Sequence, residues 1–404
     1  MREIYLDHNS SVRPLPEVEE AMAKCARDGF GSPSSLHRHG LRARDALNVA
    51  RERVAALIKA ESPEDIIFTS NATEAANLAI LGTIEANRRF GGKRVVMSAA
   101  EHPSVVDTAL SEQARGVETE LLSVDAAGAI DLEEARTALT DETMLLCLHQ
   151  ANHDLGTVQP IEQLGKLAVE RGTPFFVDAS FGAGWLPIDV LAMNASLLSL
   201  EPNRFYGPKG VGVLYRRARA RLKPILHGGA QEGGRRPGEE NLPAIVGAGV
   251  AAEIAMKERE RRLDRVAILQ KRLWAGIRER IRFVRLNGPE PGPMRIPTNL
   301  SVSVEFVEGE GVVLRSDLKG LAIASGSACV SKALKIPRAL SAIGLDPSLA
   351  QGNILLSAGM ENTEEEIDSA VDILSGVVED LRSMSPTWDE FQQGARASLI
   401  EPSE

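Results

Sequence analysis

From about residue 41 onward, helical and strand periods take turns along the chain, and this alternation limits the fold more than anything else in the sequence. An amphipathic stretch at residues 41–59 leads into the β-rich run Ile66-Ile67-Phe68-Thr69. Helical residues 74–87 then precede Arg94-Val95-Val96-Met97, and residues 103–114 precede Thr119-Glu120-Leu121-Leu122. The same rhythm places residues 132–139 before Met144-Leu145-Leu146-Cys147-Leu148, and residues 161–170 before Pro174-Phe175-Phe176-Val177. Strands separated by helices of this length predict an α/β fold whose mostly parallel sheet is covered on both faces. Right-handed crossovers then gather ligands at the carboxyl ends of the strands. Asp178 and Ser70-Asn71-Ala72-Thr73 follow such strands directly, so a site belongs there.

A helical stretch at residues 243–282 carries the mixed run Met256-Lys257-Glu258-Arg259-Glu260-Arg261-Arg262, read as a solvated helix between two domains. The runs 299–304, 312–318 and 352–357, closed by a helix at 364–382, predict a smaller α+β domain. The expected division is a large α/β domain at 15–255 and a small domain made of 1–14 with 256–385. The remaining tail, 386–404, is polar and expected to fray.

The net charge of −10 argues against general nucleic-acid or anionic-membrane binding, which needs a basic face. No apolar run approaches the roughly 18 residues of a membrane span. The opening Met1-Arg2-Glu3-Ile4 has no signal-peptide core, and three scattered cysteines form no disulfide framework, so a cytoplasmic setting is expected. Cys147 reads as a core filler. His37 and His39, two apart without a companion Cys/Asp/Glu set, are weak as a metal site and read instead as a loop packed near the site.

Several short segments occur in a distinctive order. They are Phe68-Thr69-Ser70-Asn71-Ala72-Thr73-Glu74, Glu101-His102, Val177-Asp178-Ala179, Tyr206-Gly207-Pro208-Lys209-Gly210, Gly228-Gly229-Ala230-Gln231-Glu232 and Ser325-Gly326-Ser327-Ala328-Cys329. Together they resemble the NifS/IscS-type cysteine desulfurases of the class V aminotransferase group, with a fold like that of type I pyridoxal phosphate (PLP) transferases. The resemblance implies a homodimer, a PLP site in the large domain and a sulfur-carrying cysteine loop in the small one. It implies that Asp178 pairs with the pyridine nitrogen, and that His102 stacks on the ring or moves protons. Thr73 at a helix start would meet the phosphate, and Asn152 would sit near the cofactor hydroxyl. The residues also admit simpler roles: Asp178 pairing at a strand end, Thr73 capping its helix with Asn71, and His102 as a core histidine.

The departures from the family share a direction. Arg204, preceded by Asn203, replaces the lysine that would form the imine, and a guanidinium has no free amine lone pair to attack an aldehyde. Glu201 stands for a serine and Glu239 for a threonine, both of which would touch the phosphate. Each carboxylate would instead repel a dianion by about 4 kcal/mol per unit pair at 4 Å and an effective dielectric near 20. Phe181 replaces a glutamine that would bond the ring hydroxyl. Leu355 and Met360 replace two arginines, the first a carboxylate clamp. The expected pocket is a degenerate PLP site that holds no cofactor covalently, with Arg204 pairing to Asp178, Glu201 or Glu239. Lys209 reads as a turn lysine, with a relocated imine as its other reading.

Cys329, in a loop of small residues with Lys332 and Lys335 nearby, retains the features of a reactive thiol. The functional expectation is a desulfurase-like homodimer serving sulfur transfer or iron–sulfur assembly through Cys329, with His102 as the second reactive group. It would meet a sulfur acceptor or a scaffold protein, and a cluster held through Cys329 is the cofactor compatible with it. The alternatives are an active PLP-dependent desulfurase or lyase with unorthodox cofactor binding, or a non-catalytic partner of a desulfurase or scaffold protein.

Overall fold

The computed structural model describes residues 3–88, 92–326 and 336–400. Its strands are β1 (Ile4–Tyr5), β2 (Ile66–Thr69), β3 (Arg94–Ser98), β4 (Glu118–Leu122), β5 (Thr143–His149), β6 (Phe175–Asp178), β7 (Leu197–Leu200), β8 (Gly212–Arg216), β9 (Val284–Leu286), β10 (Leu300–Val304), β11 (Leu321–Ala322) and β12 (Asn353–Leu356). The main sheet has seven strands in the order β2-β8-β7-β6-β5-β3-β4. β8 alone runs against its neighbours, so the other strands all end at the same edge.

Successive side chains of a strand face opposite sides, and the two faces of this sheet bury different cores. Leu146, Leu148 and Val177 pack with Val54, Phe68 and Ile245 on one side. Cys147, Phe176 and Val95 pack with Leu78 and Ile80 on the other. Burial on both faces explains why β5 reads as an unbroken apolar run rather than an alternating one. Cys147 is fully buried within it, and burial pushes its thiol well above the ordinary range, as befits a core filler.

Local chemistry moves several boundaries. The helix Ala72–Asn87 starts two residues before the expected 74 because Asn71 caps it, accepting the Glu74 N–H at 2.8 Å, while Glu74 reaches back to the Ser70 N–H at 2.8 Å. The helix Leu242–Arg280 has 39 residues, about 58 Å at the usual rise. Its first part packs Ala244, Ile245, Ala248 and Ala252 into the large core, and its later part packs Val266, Leu269, Leu273 and Ile277 into a second core. That second core is built on the antiparallel sheet β12-β10-β9 and the parallel pair β1-β11.

The expectation of a frayed tail is overturned for residues 386–400. Pro386–Gln392 is helical, and Trp388 and Phe391 pack against Phe283 and Phe306 with ring centroids 5.0–5.9 Å apart. Farther on, Ser398 Oγ and the Leu399 N–H donate to the Glu305 carboxylate at 2.6 and 2.9 Å. Two aromatics three apart give a polar segment one apolar face, and a buried carboxylate anchors its end. No described helix is long and apolar enough to cross a membrane.

One buried ion pair ties the segment after β8 to the start of β2. Glu232, with φ of 49°, accepts from Arg51 Nη1 and Nη2 at 2.8 and 2.6 Å and from the Phe68 N–H at 2.9 Å. Removing one member of such a pair strands the other charge, at about 3 kcal/mol or more. Glu232→Ala is therefore expected to lower the unfolding free energy by about 3 kcal/mol in urea titrations. A loss below about 1 kcal/mol would place the pair with weak surface bridges.

Candidate functional site

The ends of β3, β5, β6 and β7 carry the polar side chains. Asp178 closes β6, and its Oδ1 accepts from the Ser180 N–H (3.0 Å), Ser180 Oγ (2.5 Å) and Ser199 Oγ (2.9 Å). After β3, Glu101 is wholly buried and accepts from both the His149 N–H at 2.9 Å and His149 Nδ1 at 2.7 Å. The amide groups of Gln159 and Asn152 face His149 Nε2 at 3.3 and 3.5 Å. Their orientations are set by other bonds: Gln159 donates to Gly128 and accepts from Ile130, and Asn152 donates to Ala100. Nε2 is thereby an acceptor, and Nδ1–H points at Glu101. Burial opposes charge on His149, but the Glu101 carboxylate outweighs it and raises the proton affinity of the ring. Burial also raises the pKa of Glu101.

His102 caps the helix Pro103–Leu110, its Nδ1 accepting the Ser104 N–H at 3.1 Å, which leaves Nε2 to carry the proton. Its ring meets that of His153 edge-on at 4.9 Å, and His153 lies 5.4 Å from the Phe181 ring. The Arg204 guanidinium completes the stack, its Cζ 4.5 Å from the Phe181 centroid. Burial, then the neighbouring His153, press His102 down to about 4. Burial, then His149, press His153 down to about 3. Burial pushes Asp154, beside His153, up to about 6. Two neutral imidazoles thus lie beside a permanent cation.

Arg204 lies on the one-turn helix Pro202–Phe205, and its Nη1 donates to the Asn9 carbonyl. Trp185 Nε1 fixes the turn by donating to the Arg204 carbonyl at 3.0 Å. Of the carboxylates expected to pair with Arg204, Glu201 is the one whose proton affinity its charge lowers. Asp178 is held by serine donors, and Glu239 is exposed. Glu201 feels the Arg204 charge, but its Oε2 accepts the Ala72 N–H at 2.5 Å. Burial raises the pKa of Glu201, while that N–H and Arg204 lower it.

The remaining sequence candidates divide. Thr73 is exposed, and the cap is Asn71. Asn152 is consumed by its own loop: Oδ1 accepts the N–H groups of Asp154 and Leu155 at 2.9 and 2.8 Å, and the amide donates to Ala100. Asn203 Oδ1 is buried without a hydrogen-bond partner among the described residues. Met360 packs, partly buried, against the second core, and Leu355 is buried in β12. Lys209 is exposed and lines a separate cleft of about 470 Å³ with Tyr5, His8 and Glu361. His37 caps the helix Arg38–Leu57, and both His37 and His39 are exposed. No group of metal-ligating side chains occurs among the described residues. Cys329, Lys332 and Lys335 lie outside the described residues. Sequence reasoning passed over His149, His153 and Asp154; the signal was their cluster at the end of the apolar β5 and just beyond it.

The residues present do not fit PLP attached at position 204. No amine stands at position 204, a carboxylate occupies the helix start at Ala72, and an aromatic ring fills position 181 beneath the guanidinium.

The depressed His102 pKa makes a pH signature. The unfolded chain, with His near its ordinary 6.5, binds that proton more readily than the folded one, so His102 costs stability as pH falls from about 6.5 towards 4. Asp154 works in the opposite sense, since its raised pKa favours the folded state on acidification. A His102→Asn variant keeps a capping acceptor and removes only the histidine contribution. Its stability loss between pH 7 and 5, from urea midpoints, should be smaller than the wild type's; an equal loss would mean His102 is not held neutral.

Residues 4–369 match the aminotransferase class-V family. Cysteine desulfurase IscS 1 of Archaeoglobus fulgidus is 41% identical over 386 residues, 95% of this chain and 99% of that one. Cysteine desulfurase IscS of Clostridium botulinum is 38% identical over 392 residues, 97% of this chain and 98% of its own. Among solved structures, a NifS-like protein superposes with a TM-score of 0.87 at 29% identity, covering 94% of this chain and all of that one. The strand order, the site at the strand ends and these likenesses agree: the chain belongs to the aminotransferase class-V family, among relatives of the NifS/IscS cysteine desulfurase type.

Proposed function

We propose that this chain is a desulfurase-type protein that holds no PLP covalently and serves sulfur transfer or iron–sulfur assembly through Cys329. The observation that carries the reading is Arg204: it stands at the imine position, lies over Phe181 and is tied to the Asn9 carbonyl. A guanidinium stays protonated and cannot condense with an aldehyde. The family likeness supplies the sulfur chemistry, and the loop thiol is the group left to perform it.

In the proposed step the Cys329 thiolate attacks the outer sulfur of a donor persulfide. The donor S–S bond breaks, a new S–S bond forms on Cys329, and the donor leaves as a thiolate, with no net oxidation. The reverse exchange delivers the sulfur to an acceptor or scaffold protein. A homodimer, two domains divided as the sequence suggests and a cytoplasmic setting belong to the same proposal. The structural roles of His102, Asn152 and Asp178 support it, because each is engaged in holding loops.

Protein purified without oxygen should lack the yellow colour of bound PLP, release no PLP on denaturation and liberate no sulfide from free cysteine above a blank. It should take up sulfane sulfur from a persulfide donor, and Cys329→Ala should abolish that uptake. A yellow preparation with stoichiometric PLP, or cysteine-dependent sulfide release, would overturn the reading in favour of an active enzyme. Uptake unchanged in Cys329→Ala would overturn the role of Cys329, and no uptake by the wild type would favour a non-catalytic partner.

A further inference from the structure

Glu201 follows two fully buried strand residues, Ser199 and Leu200, and precedes the buried Pro202. A residue before proline is confined to extended backbone, and Glu201 adopts φ −122° and ψ 100°. Its backbone carbonyl accepts the Arg204 N–H at 3.0 Å, closing the turn. The side chain is thus aimed from a rigid frame at the first turn of the 16-residue helix Ala72–Asn87, where its Oε2 meets the Ala72 N–H. Two further N–H groups of that turn also bind the chain's own oxygens: Glu74 N–H to Asn71 Oδ1, and Ala75 N–H to the Asn71 carbonyl. Glu74 itself is held by Arg236 at 2.8 Å, which fixes the outer wall.

The start of a helix attracts an anion through its unpaired N–H groups and its dipole. Here the anion is a carboxylate of the same chain. We propose that Glu201 is a built-in anion that closes this seat to phosphate-bearing ligands, and does so by charge, a block distinct from the missing amine at position 204. The chain is then locked twice: position 204 removes covalent attachment, and position 201 removes the place for a phosphate. This inference rests on the reading given under Proposed function, but it can fail separately from it.

The test uses the full-length protein, with PLP and its phosphate-free counterpart pyridoxal as probes in equilibrium dialysis, and borohydride trapping followed by peptide mapping. Four proteins are compared: wild type, Glu201→Ser, Arg204→Lys, and the double variant. Glu201→Ser should bind PLP at least about tenfold more tightly than the wild type, with pyridoxal binding unchanged, because only the phosphate gains from losing a facing charge. Arg204→Lys should bind PLP no better than the wild type and yield little trapped adduct, whereas the double variant should yield a stoichiometric adduct at residue 204.

Equal PLP affinity in Glu201→Ser and wild type, or a full adduct in Arg204→Lys alone, would overturn the second lock and leave the reading of Proposed function standing. Stoichiometric PLP on the wild type as isolated would instead sink that reading. Should Glu201→Ser fail to fold, Glu201→Gln keeps an acceptor for the Ala72 N–H and drops only the charge. A gain in its PLP-to-pyridoxal affinity ratio supports the proposal, and no gain overturns it.

Discussion

Strands that all stop at one edge leave the turns after them with backbone N–H groups that must find acceptors, and the site is largely the set of answers to that demand. Asp178 accepts the Ser180 N–H after β6, and Glu101 accepts the His149 N–H at the end of β5. His102 accepts the Ser104 N–H after β3, and Glu201 accepts the Ala72 N–H after β2. Four side chains that would be obvious candidates for chemistry are each holding a backbone turn. An unsatisfied buried donor costs roughly 1–3 kcal/mol, so these bonds compete directly with any ligand for the same groups.

The fold was legible wherever the signal was local. The helix Ile161–Glu170 falls on its expected span, and β5 could be read from one unbroken apolar run. The early start of the helix Ala72–Asn87 was also written locally, in Asn71 and Glu74, but the expected span began beyond the cap. The docked tail was not legible, because Trp388 and Phe391 look like isolated aromatics until Phe283 and Phe306 are brought beside them. Nothing within residues 386–400 reveals a partner about 100 positions away. Similarly, the long helix was readable as one element, while its two cores emerged only from tertiary packing.

For the site, residue identity carried further than position. Arg204 and Phe181 were each singled out by residue type, yet their contact with each other was not legible. The guanidinium was expected to seek a carboxylate, as ion pairing suggests. Its charge is felt by Glu201, and it also meets an aromatic face and the carbonyl of Asn9, 195 residues away. A weakly hydrated planar cation gains roughly 0.5–2 kcal/mol from such a face without the desolvation that a buried ion pair demands. Asn152 shows the opposite error: a residue type suited to a ligand is exhausted by the loop it holds.

Glu201 and Arg204 are best understood as one charge pattern rather than two separate features. They lie three residues apart on a single turn, and each alters the electrostatics of the other: the Arg204 charge lowers the Glu201 pKa against the effect of burial. A carboxylate at 201 without a nearby cation would rely on one N–H and the helix dipole to remain charged. A guanidinium at 204 without a nearby anion would add an unopposed positive charge beside His102 and His153, whose pKa values it already helps to lower. Substitutions so placed share partners, and their energetic effects are coupled rather than additive. The pocket therefore has a fixed anion at the helix start and a fixed cation over the Phe181 ring, supplied by the chain itself.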